Sequence, residues 1–222
     1  KDCACCGAYI SPTEWKEFLC HNLGADTSLD PHVPVMGLQG AYIQWGKRGP
    51  NTTGDSRVDW QTAVTDASNG FAAAPTAANP NDAAISGWST VLAPNNSWRT
   101  ASGAKTDKDP CPSGYRVPTS AEWMGVKDFN TPSYTGTSIN GSTSYGTAWH
   151  YGPNASTKLL TLPNAGRIHS NGVLNGRGYY GYYWSSTERG AEAYTMLFYG
   201  LLQNPADWYP RSYAFPVRCI AE

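Results

Sequence analysis

Apolar positions along this chain rarely hold one period for long, and the predicted elements are correspondingly short. Two stretches carry helix-start chemistry. Ser11-Pro12-Thr13-Glu14 has the form of a capping box, with Ser11 as N-cap, Pro12 at the first helical position and Glu14 reaching back. Trp15, Phe18 and Leu19 follow at i, i+3 and i+4, and Asn22-Leu23-Gly24 closes the stretch, so a helix is predicted there. Thr119-Ser120-Ala121-Glu122 repeats the box behind Pro118, with Trp123 and Val126 on the buried side and Gly125 weakening the run. Strand signals sit at residues 41–45, before the turn Gly46-Lys47-Arg48-Gly49-Pro50, and at 193–199, the best strand run, which ends at Gly200. A last strand is expected over 214–220, with Pro216 placing it at an edge or a bulge. Residues 61–108 show little periodicity and read as surface loops or an insertion anchored by Trp88 and Trp98. No repeat organises the chain.

Composition narrows the class. The 222 residues suit one domain spanning 1–222, with 23 Gly, 16 Pro, 9 Trp and 14 Tyr but only 15% charged residues. A net charge of -1 leaves no cationic surplus for phosphates, so nucleic-acid binding is disfavoured. No long apolar run suggests membrane insertion, and no signal-peptide pattern opens the sequence, so any leader is expected to be removed or to lie outside it. Few charges with many Gly, Pro, Asn, Ser and Trp read as a loop-rich extracellular recognition domain.

Six cysteines, at 3, 5, 6, 20, 111 and 219, suit an oxidising compartment. Cys3, Cys5, Cys6 and Cys20 crowd together beside His21, but the run lacks the two-residue gap of a zinc site. Local disulfides are the favoured alternative, for example Cys6 with Cys20. Cys111 and Cys219 are the other expected disulfide cysteines, and no metal or cofactor is expected. Catalytic signatures are poor. Gly-x-Ser-x-Gly, a P-loop and a dinucleotide motif are absent, and His21, His32, His150 and His169 lack metal spacing. Asp107 with Asp109, and Glu188 with Glu192, read as solvated rather than as an acid and base.

The most informative segment lies between Gly178 and Phe215, which holds eight of the 14 tyrosines. Tyrosine supplies rigid, amphipathic contact area at low rotamer cost, which is why binding loops favour it. Trp184, Phe198, Phe215 and Val217 read as core. Tyr179, Tyr180, Tyr182, Tyr199, Tyr209 and Tyr213 read as an exposed patch, because the glycines around 178–183 and the turn-rich 204–210 should turn rings outward.

Asp109-Pro110-Cys111-Pro112-Ser113-Gly114-Tyr115-Arg116-Val117-Pro118-Thr119 with Glu122-Trp123 resembles the FISUMP family of bacterial surface domains. So do Tyr183-Trp184-Ser185-Ser186-Thr187, Phe215-Pro216-Val217-Arg218-Cys219, Cys20-His21-Asn22-Leu23-Gly24 and Tyr42-Ile43-Gln44-Trp45-Gly46. That resemblance implies an α+β, C-type-lectin-like fold related to formylglycine-generating enzymes, with two helices around short twisted antiparallel sheets. The segment 178–219 also resembles the variable region of proteins diversified by retroelements. This implies ligand-facing positions at Tyr179, Tyr180, Tyr182, Arg189, Glu192, Tyr199, Leu201, Asp207, Trp208, Tyr209, Arg211 and Tyr213. Trp184, Ser185, Ser186 and Arg218 would be framework. Gln203-Asn204-Pro205 and Asp207-Trp208 do not reproduce the calcium-dependent sugar motifs, and only Cys219 lies where the enzymes need a reactive cysteine pair.

The leading expectation is therefore a non-enzymatic domain at a bacterial cell surface or on a phage virion, binding a protein or glycan on another cell, host or phage. The alternatives are a pilus-tip or surface-lipoprotein glycan adhesin without diversification, a formylglycine-generating-type enzyme, and a purely structural subunit with its tyrosines in an interface.

Overall fold

The computed structural model of the chain describes residues 6–49, 64–141 and 143–222. Among them the only α-helix is α1 (Ser120–Phe129), and fifteen strands, most of them short, are joined by loops and two 3-10 turns. The first four are β1 (Gly7–Tyr9), β2 (Trp15–Glu17), β3 (Tyr42–Gln44) and β4 (Phe71–Ala72); β5 (Tyr115–Arg116) precedes the helix. After it come β6 (Thr131–Thr135), β7 (Ala148–Gly152), β8 (Leu160–Pro163), β9 (Arg167–Ile168) and β10 (Leu174–Asn175). A long meander follows, β11 (Tyr180–Arg189), β12 (Glu192–Tyr199) and β13 (Leu202–Pro210), and then β14 (Ala214–Phe215) and β15 (Ile220–Ala221). The chain is thus mostly β, in several antiparallel sheets, and the expected two-helix, C-type-lectin-like α+β arrangement is not what forms.

The missing helix is a hairpin. The Ser11 hydroxyl does accept the Glu14 amide (3.0 Å), as a capping box would. The Glu14 carbonyl, however, accepts the Ile10 amide (2.9 Å) and turns the chain back so that β2 pairs with β1. Cys6 and Cys20 are disulfide-bonded, and the Phe18 amide donates to the Cys6 carbonyl (2.8 Å). The helical spacing of Trp15, Phe18 and Leu19 serves a different purpose. Trp15 lies over Gly7, where a Cβ would sit 2.2 Å from its ring, while Phe18 and Leu19 pack into two different cores.

The second capping box forms as predicted. Thr119 Oγ1 accepts the Glu122 amide, the Glu122 carboxylate accepts the Thr119 amide (2.7 Å), and Thr187 Oγ1 takes the otherwise orphaned Ser120 amide (3.0 Å). Glu122 also pairs with Arg116 at 2.5 Å. Trp123 and Val126 are buried as the pattern requires, and Cys3 and Cys5 lie outside the described residues.

In the sheet β11-β12-β13, the middle of β11 and β12 is buried on both faces, whereas β13 is mostly partly or fully exposed. Tyr183, Met196 and Phe198 face α1 and the sheet β6-β7-β8, meeting Trp123, Trp149 and Leu162. Tyr182, Trp184 and Leu197 face Ile43, Trp45, Phe71 and Phe215 of the region around β3, β4 and β14. Each fully buried aromatic side chain contributes roughly 1.5–3 kcal/mol through removal of apolar surface from water. The expected strands at 41–45 and 193–199 correspond to β3 and β12. The one at 214–220 is interrupted after Phe215. Pro216 has no amide to donate, and the next carbonyls turn to other partners: Val217 accepts from Leu23 (3.0 Å) and Cys219 from Leu19 (2.9 Å).

Indole N–H groups cross-link the loops. Trp45 donates to the Ser185 carbonyl (2.9 Å), Trp123 to Trp184 (3.1 Å), Trp184 to Ile43 (2.8 Å), Trp98 to Lys47 (2.9 Å) and Trp88 to Ser212 (3.2 Å). Trp88 and Trp98 thereby anchor the described part of 61–108, which also holds β4. The Cys111–Cys219 disulfide closes a loop of 108 residues. A closure of that length removes about 4–5 kcal/mol of unfolded-state entropy in the chain-entropy picture.

Gly125 settles a conflict between helix propensity and packing. A Cβ there would lie 2.0 Å from the Ile10 carbonyl oxygen, a backbone atom at the tip of the first hairpin. Alanine would gain about 1 kcal/mol of helix propensity but force helix and hairpin apart. G125A is therefore expected to lower the unfolding free energy by about 1–3 kcal/mol in urea titration; a stabilised variant would show that the contact is slack.

Candidate functional site

Strand register decides which tyrosines share a face. Tyr180 is opposite Tyr199, Tyr182 opposite Leu197, and Trp184 opposite Thr195. Across β12, Leu202 faces Tyr199, Asn204 faces Leu197, Asp207 faces Thr195 and Tyr209 faces Ala193. Three steps along β13 match two along β12 between Asn204 and Asp207, so β13 carries a bulge. Pro205 sits in it, where no amide is needed for pairing, and Asn204 Oδ1 accepts the Ala206 amide (3.1 Å). Without the extra residue, Asp207 and Tyr209 would point to the opposite face. The bulge brings both to the side of Tyr180 and Tyr199.

On that side the rings form one continuous group. Tyr179 meets Tyr180 edge-on (4.7 Å) and stacks near Tyr199 (6.2 Å); Tyr180 contacts Tyr199 (5.3 Å) and Tyr182 (5.6 Å). Tyr182 meets Tyr209 (5.2 Å), and Tyr209 meets Tyr213 (5.5 Å). Arg167, from β9, lies within this group, its guanidinium carbon 4.9 Å from the ring centres of Tyr182 and Tyr209 and 5.2 Å from that of Tyr213. His169 Nε2 is 2.7 Å from the Tyr213 hydroxyl and fixes that ring from behind. Tyr179, Tyr180, Tyr199, Asp207, Tyr209 and Tyr213 are all partly exposed.

A second, smaller group lies on the other face. Trp208 is opposite Tyr194 and 42% exposed, with Arg189 over its ring at 3.7 Å and Glu192 bonded to Arg189 at 2.8 Å. Leu201 stands alone at the β12–β13 turn, 87% exposed. The residues expected to form one ligand surface therefore divide between two faces and a hairpin tip.

Two of them, Tyr182 and Arg211, are buried and present no surface to a ligand. Tyr182 is 1% exposed, stacked on Phe215 at 5.0 Å, and burial pushes its phenol pKa well above the usual range. The glycines around it do not turn it out. Gly181 is required because a Cβ would lie 1.9 Å from the Phe198 ring, and Tyr182 points into a core because both faces of β11 are covered there. Arg211 is 3% exposed and structural. It lies over Trp45 (4.2 Å) and donates to the carbonyls of Glu192, Ala93 and Gly190 and to Asn95 Oδ1, tying the 93–95 loop to the β11–β12 hairpin. Trp184, Ser185, Ser186 and Arg218 are buried. The Ser186 amide donates to the Pro118 carbonyl (2.7 Å), and Arg218 holds Asn22 Oδ1 through two nitrogens at 3.0 and 2.8 Å.

The acidic residues also depart from expectation. Asp109 is buried rather than solvated: its carboxylate accepts the amides of Cys111 and Val117, each at 2.9 Å, and burial pushes its pKa up to about 6. Asp107 is exposed. Glu188 accepts the Asn96 amide and lies 3.8 Å from Arg211. Arg167 was not among the expected site residues, and His169 was weighed as a metal ligand rather than for this face, because both lie outside 178–215. The alternation Gly166-Arg167-Ile168-His169 was the available signal.

The site is thus a bulged, three-stranded antiparallel sheet that presents tyrosines around one guanidinium on a β-rich domain. Residues 95–221 match the Fibrobacter succinogenes major domain (Fib_succ_major), and the chain belongs to that family. The matched region runs through α1, the meander and Arg167. No curated protein and no solved structure matches the chain. Two disulfides are compatible with an extracellular or cell-surface location, and among the described residues no helix is long and apolar enough to cross a membrane.

Two histidines meet at β8. His32 Nδ1 and His150 Nδ1 both meet Thr161 Oγ1 (2.7 and 2.8 Å), and His150 Nε2 meets Thr135 Oγ1 (2.8 Å). Burial pushes the His150 pKa down to about 4 and lowers those of His32 and His21. Between pH 6.5 and 4 the unfolded chain takes up protons that the folded imidazole refuses, so this contribution falls as pH falls. Asp109 acts oppositely: its raised pKa favours folding below about pH 4, and that contribution is lost as pH rises through about 6. H150Q keeps hydrogen-bonding capacity and removes only the histidine titration. The stability advantage of the native chain over H150Q, from urea titrations, is expected to shrink steadily from pH 7 to pH 4. A constant difference would place His150 outside the acid response.

Proposed function

We propose that the chain is a non-enzymatic recognition domain that works outside the cell and binds a protein or glycan ligand through the tyrosine face of β11–β13. The observation that carries this is the joined, partly exposed group of Tyr179, Tyr180, Tyr199, Tyr209 and Tyr213 on a sheet whose other surface packs on α1 and β6–β8 through Tyr183, Met196 and Phe198. Rings held this way lose little entropy on binding, and the low charge of the chain leaves little long-range steering. Cys219, where formylglycine-type chemistry would need a free thiol, is instead bonded to Cys111. No nucleic-acid partner, membrane insertion or cofactor is part of this reading.

The test uses the labelled domain on an array of immobilised glycans and on a panel of bacterial and host cells. Y179A/Y199A is expected to lose at least about 10-fold in binding, the scale of one or two central aromatic anchors. Its thermal midpoint should stay close to that of the parent chain. Binding that survives the double substitution would remove the face from the function.

The finer proposal is that this surface is diversified by a retroelement. An adenine-substituted near-repeat of the DNA encoding 178–219 is then expected beside the gene, with its substituted codons at partly or fully exposed positions such as Tyr179, Arg189, Glu192, Tyr199, Leu201, Asp207 and Trp208. Tyr182 and Arg211 should be spared, because each is buried. Sequencing the locus decides it, and a locus without the repeat favours a fixed adhesin.

A further inference from the structure

We propose that Arg167 is the anchor of the tyrosine face and that it takes the carboxylate of an acidic sugar, a pyranose ring of the uronic acid type. The inference rests on reading that face as a recognition surface and names what it recognises.

The fully buried guanidinium groups among the described residues all make hydrogen bonds. Arg211 and Arg218 spend their N–H groups on carbonyl and amide oxygens, and Arg177 donates to the Pro80 carbonyl (2.6 Å) and the Tyr42 hydroxyl (2.9 Å). Arg167 is different. Its Nε and Nη1 are buried and meet no hydrogen-bond acceptor, although the residue as a whole remains partly exposed. A charged donor withdrawn from water and left unpaired is costly, so the arrangement favours any ligand that brings acceptors. Tyr182, Tyr209 and Tyr213 surround the guanidinium and screen it from water on their sides, which strengthens a charge-assisted, fork-shaped pairing with a carboxylate.

The surroundings favour a sugar over an acidic peptide. Asp207 lies on the same face, close enough to Arg167 for their charges to interact, but the two form no ion pair within 4.0 Å. A carboxylate acceptor beside the anchor suits a ligand that carries hydroxyl donors next to its own acid group and repels one that carries several acids. The rings of Tyr180 and Tyr199 continue the face from Tyr182 and offer apolar plates to the C–H side of a pyranose.

The experiment titrates the full chain with glucuronic acid, glucose and a triglutamate peptide, using calorimetry and the 15N-resolved Nε–H resonance of Arg167. Glucuronic acid is expected to bind and to shift that resonance, with glucose at least about 10-fold weaker, the equivalent of one charged hydrogen bond. R167K, which keeps the charge but loses the planar fork, should weaken glucuronic acid at least about 10-fold. If R167K fails to fold, the resonance shift in the native chain carries the test alone. Equal affinity for glucose, no binding of glucuronic acid, an unmoved resonance, or triglutamate binding as tightly as glucuronic acid would each overturn the proposal. Failure here with array or cell binding still lost in Y179A/Y199A would leave the recognition face standing and remove only its sugar-acid specificity.

Discussion

The stack of Phe215 on Trp184, with ring centres 4.0 Å apart, is the contact on which both the core and the candidate site depend. Phe215 belongs to β14, which lies between β9 and β3 in the five-stranded sheet. Trp184 belongs to the meander. The same phenyl ring stacks on Tyr182 (5.0 Å) and meets Tyr209 (5.5 Å) and Tyr213 (6.3 Å) edge-on. One buried side chain therefore joins two sheets and supports the three tyrosines that surround Arg167. The residues after it extend the constraint. Val217 and Cys219 receive amides from Leu23 and Leu19, Arg218 grips Asn22, and Ile220 pairs with Phe18 and Arg116. Segments distant in sequence meet on these few residues, and the tyrosine face is built on that junction.

A chain with so little regular structure must satisfy many loop carbonyls without ladders, and it does so with side chains. Indole N–H groups and buried guanidinium groups are well suited. Each brings directed donors on a large flat body that also fills space. Arg218 shows the balance. It is buried with no carboxylate contact, burial pushes its pKa down to about 10, and it stays charged near neutrality while bonded to Asn22 and Leu19. This accounts for a composition high in tryptophan and low in charge. Many of the cations present are internal fasteners rather than surface charge.

How much of this was legible depends on whether local chemistry had a tertiary competitor. Thr119 and Glu122 formed their capping box because nothing opposed it. Ser11 and Glu14 made half of the same motif, yet the Ile10–Glu14 bond and the Cys6–Cys20 disulfide folded the segment into a hairpin. The strand at 193–199 was legible from its β-rich run, whereas the side on which each tyrosine falls was not. Tyr182 is buried because β11 is covered on both faces, and Tyr209 reaches the site only through the bulge at Pro205. Arg167 comes from a two-residue strand far from the tyrosine segment, and only the sheet order brings it there.

The two proposals for this face limit one another. A surface that tolerates substitution needs side chains whose loss does not disturb the backbone, and the ladder of β11–β13 supplies this at its rim. Tyr179 and Tyr199 touch mainly other rim tyrosines, and Leu201 is almost free of contacts. Tyr209 and Tyr213 are different, because each leans on Phe215 and each forms a wall of the cage around Arg167. Changing either one would loosen the core edge and open the guanidinium to water, which weakens the charge-assisted pairing an anchor needs. A face with Arg167 at its centre can therefore vary at its rim and at the hairpin tip, but hardly at the cage. Ligands selected by such a face would share one acidic group and differ in what surrounds it.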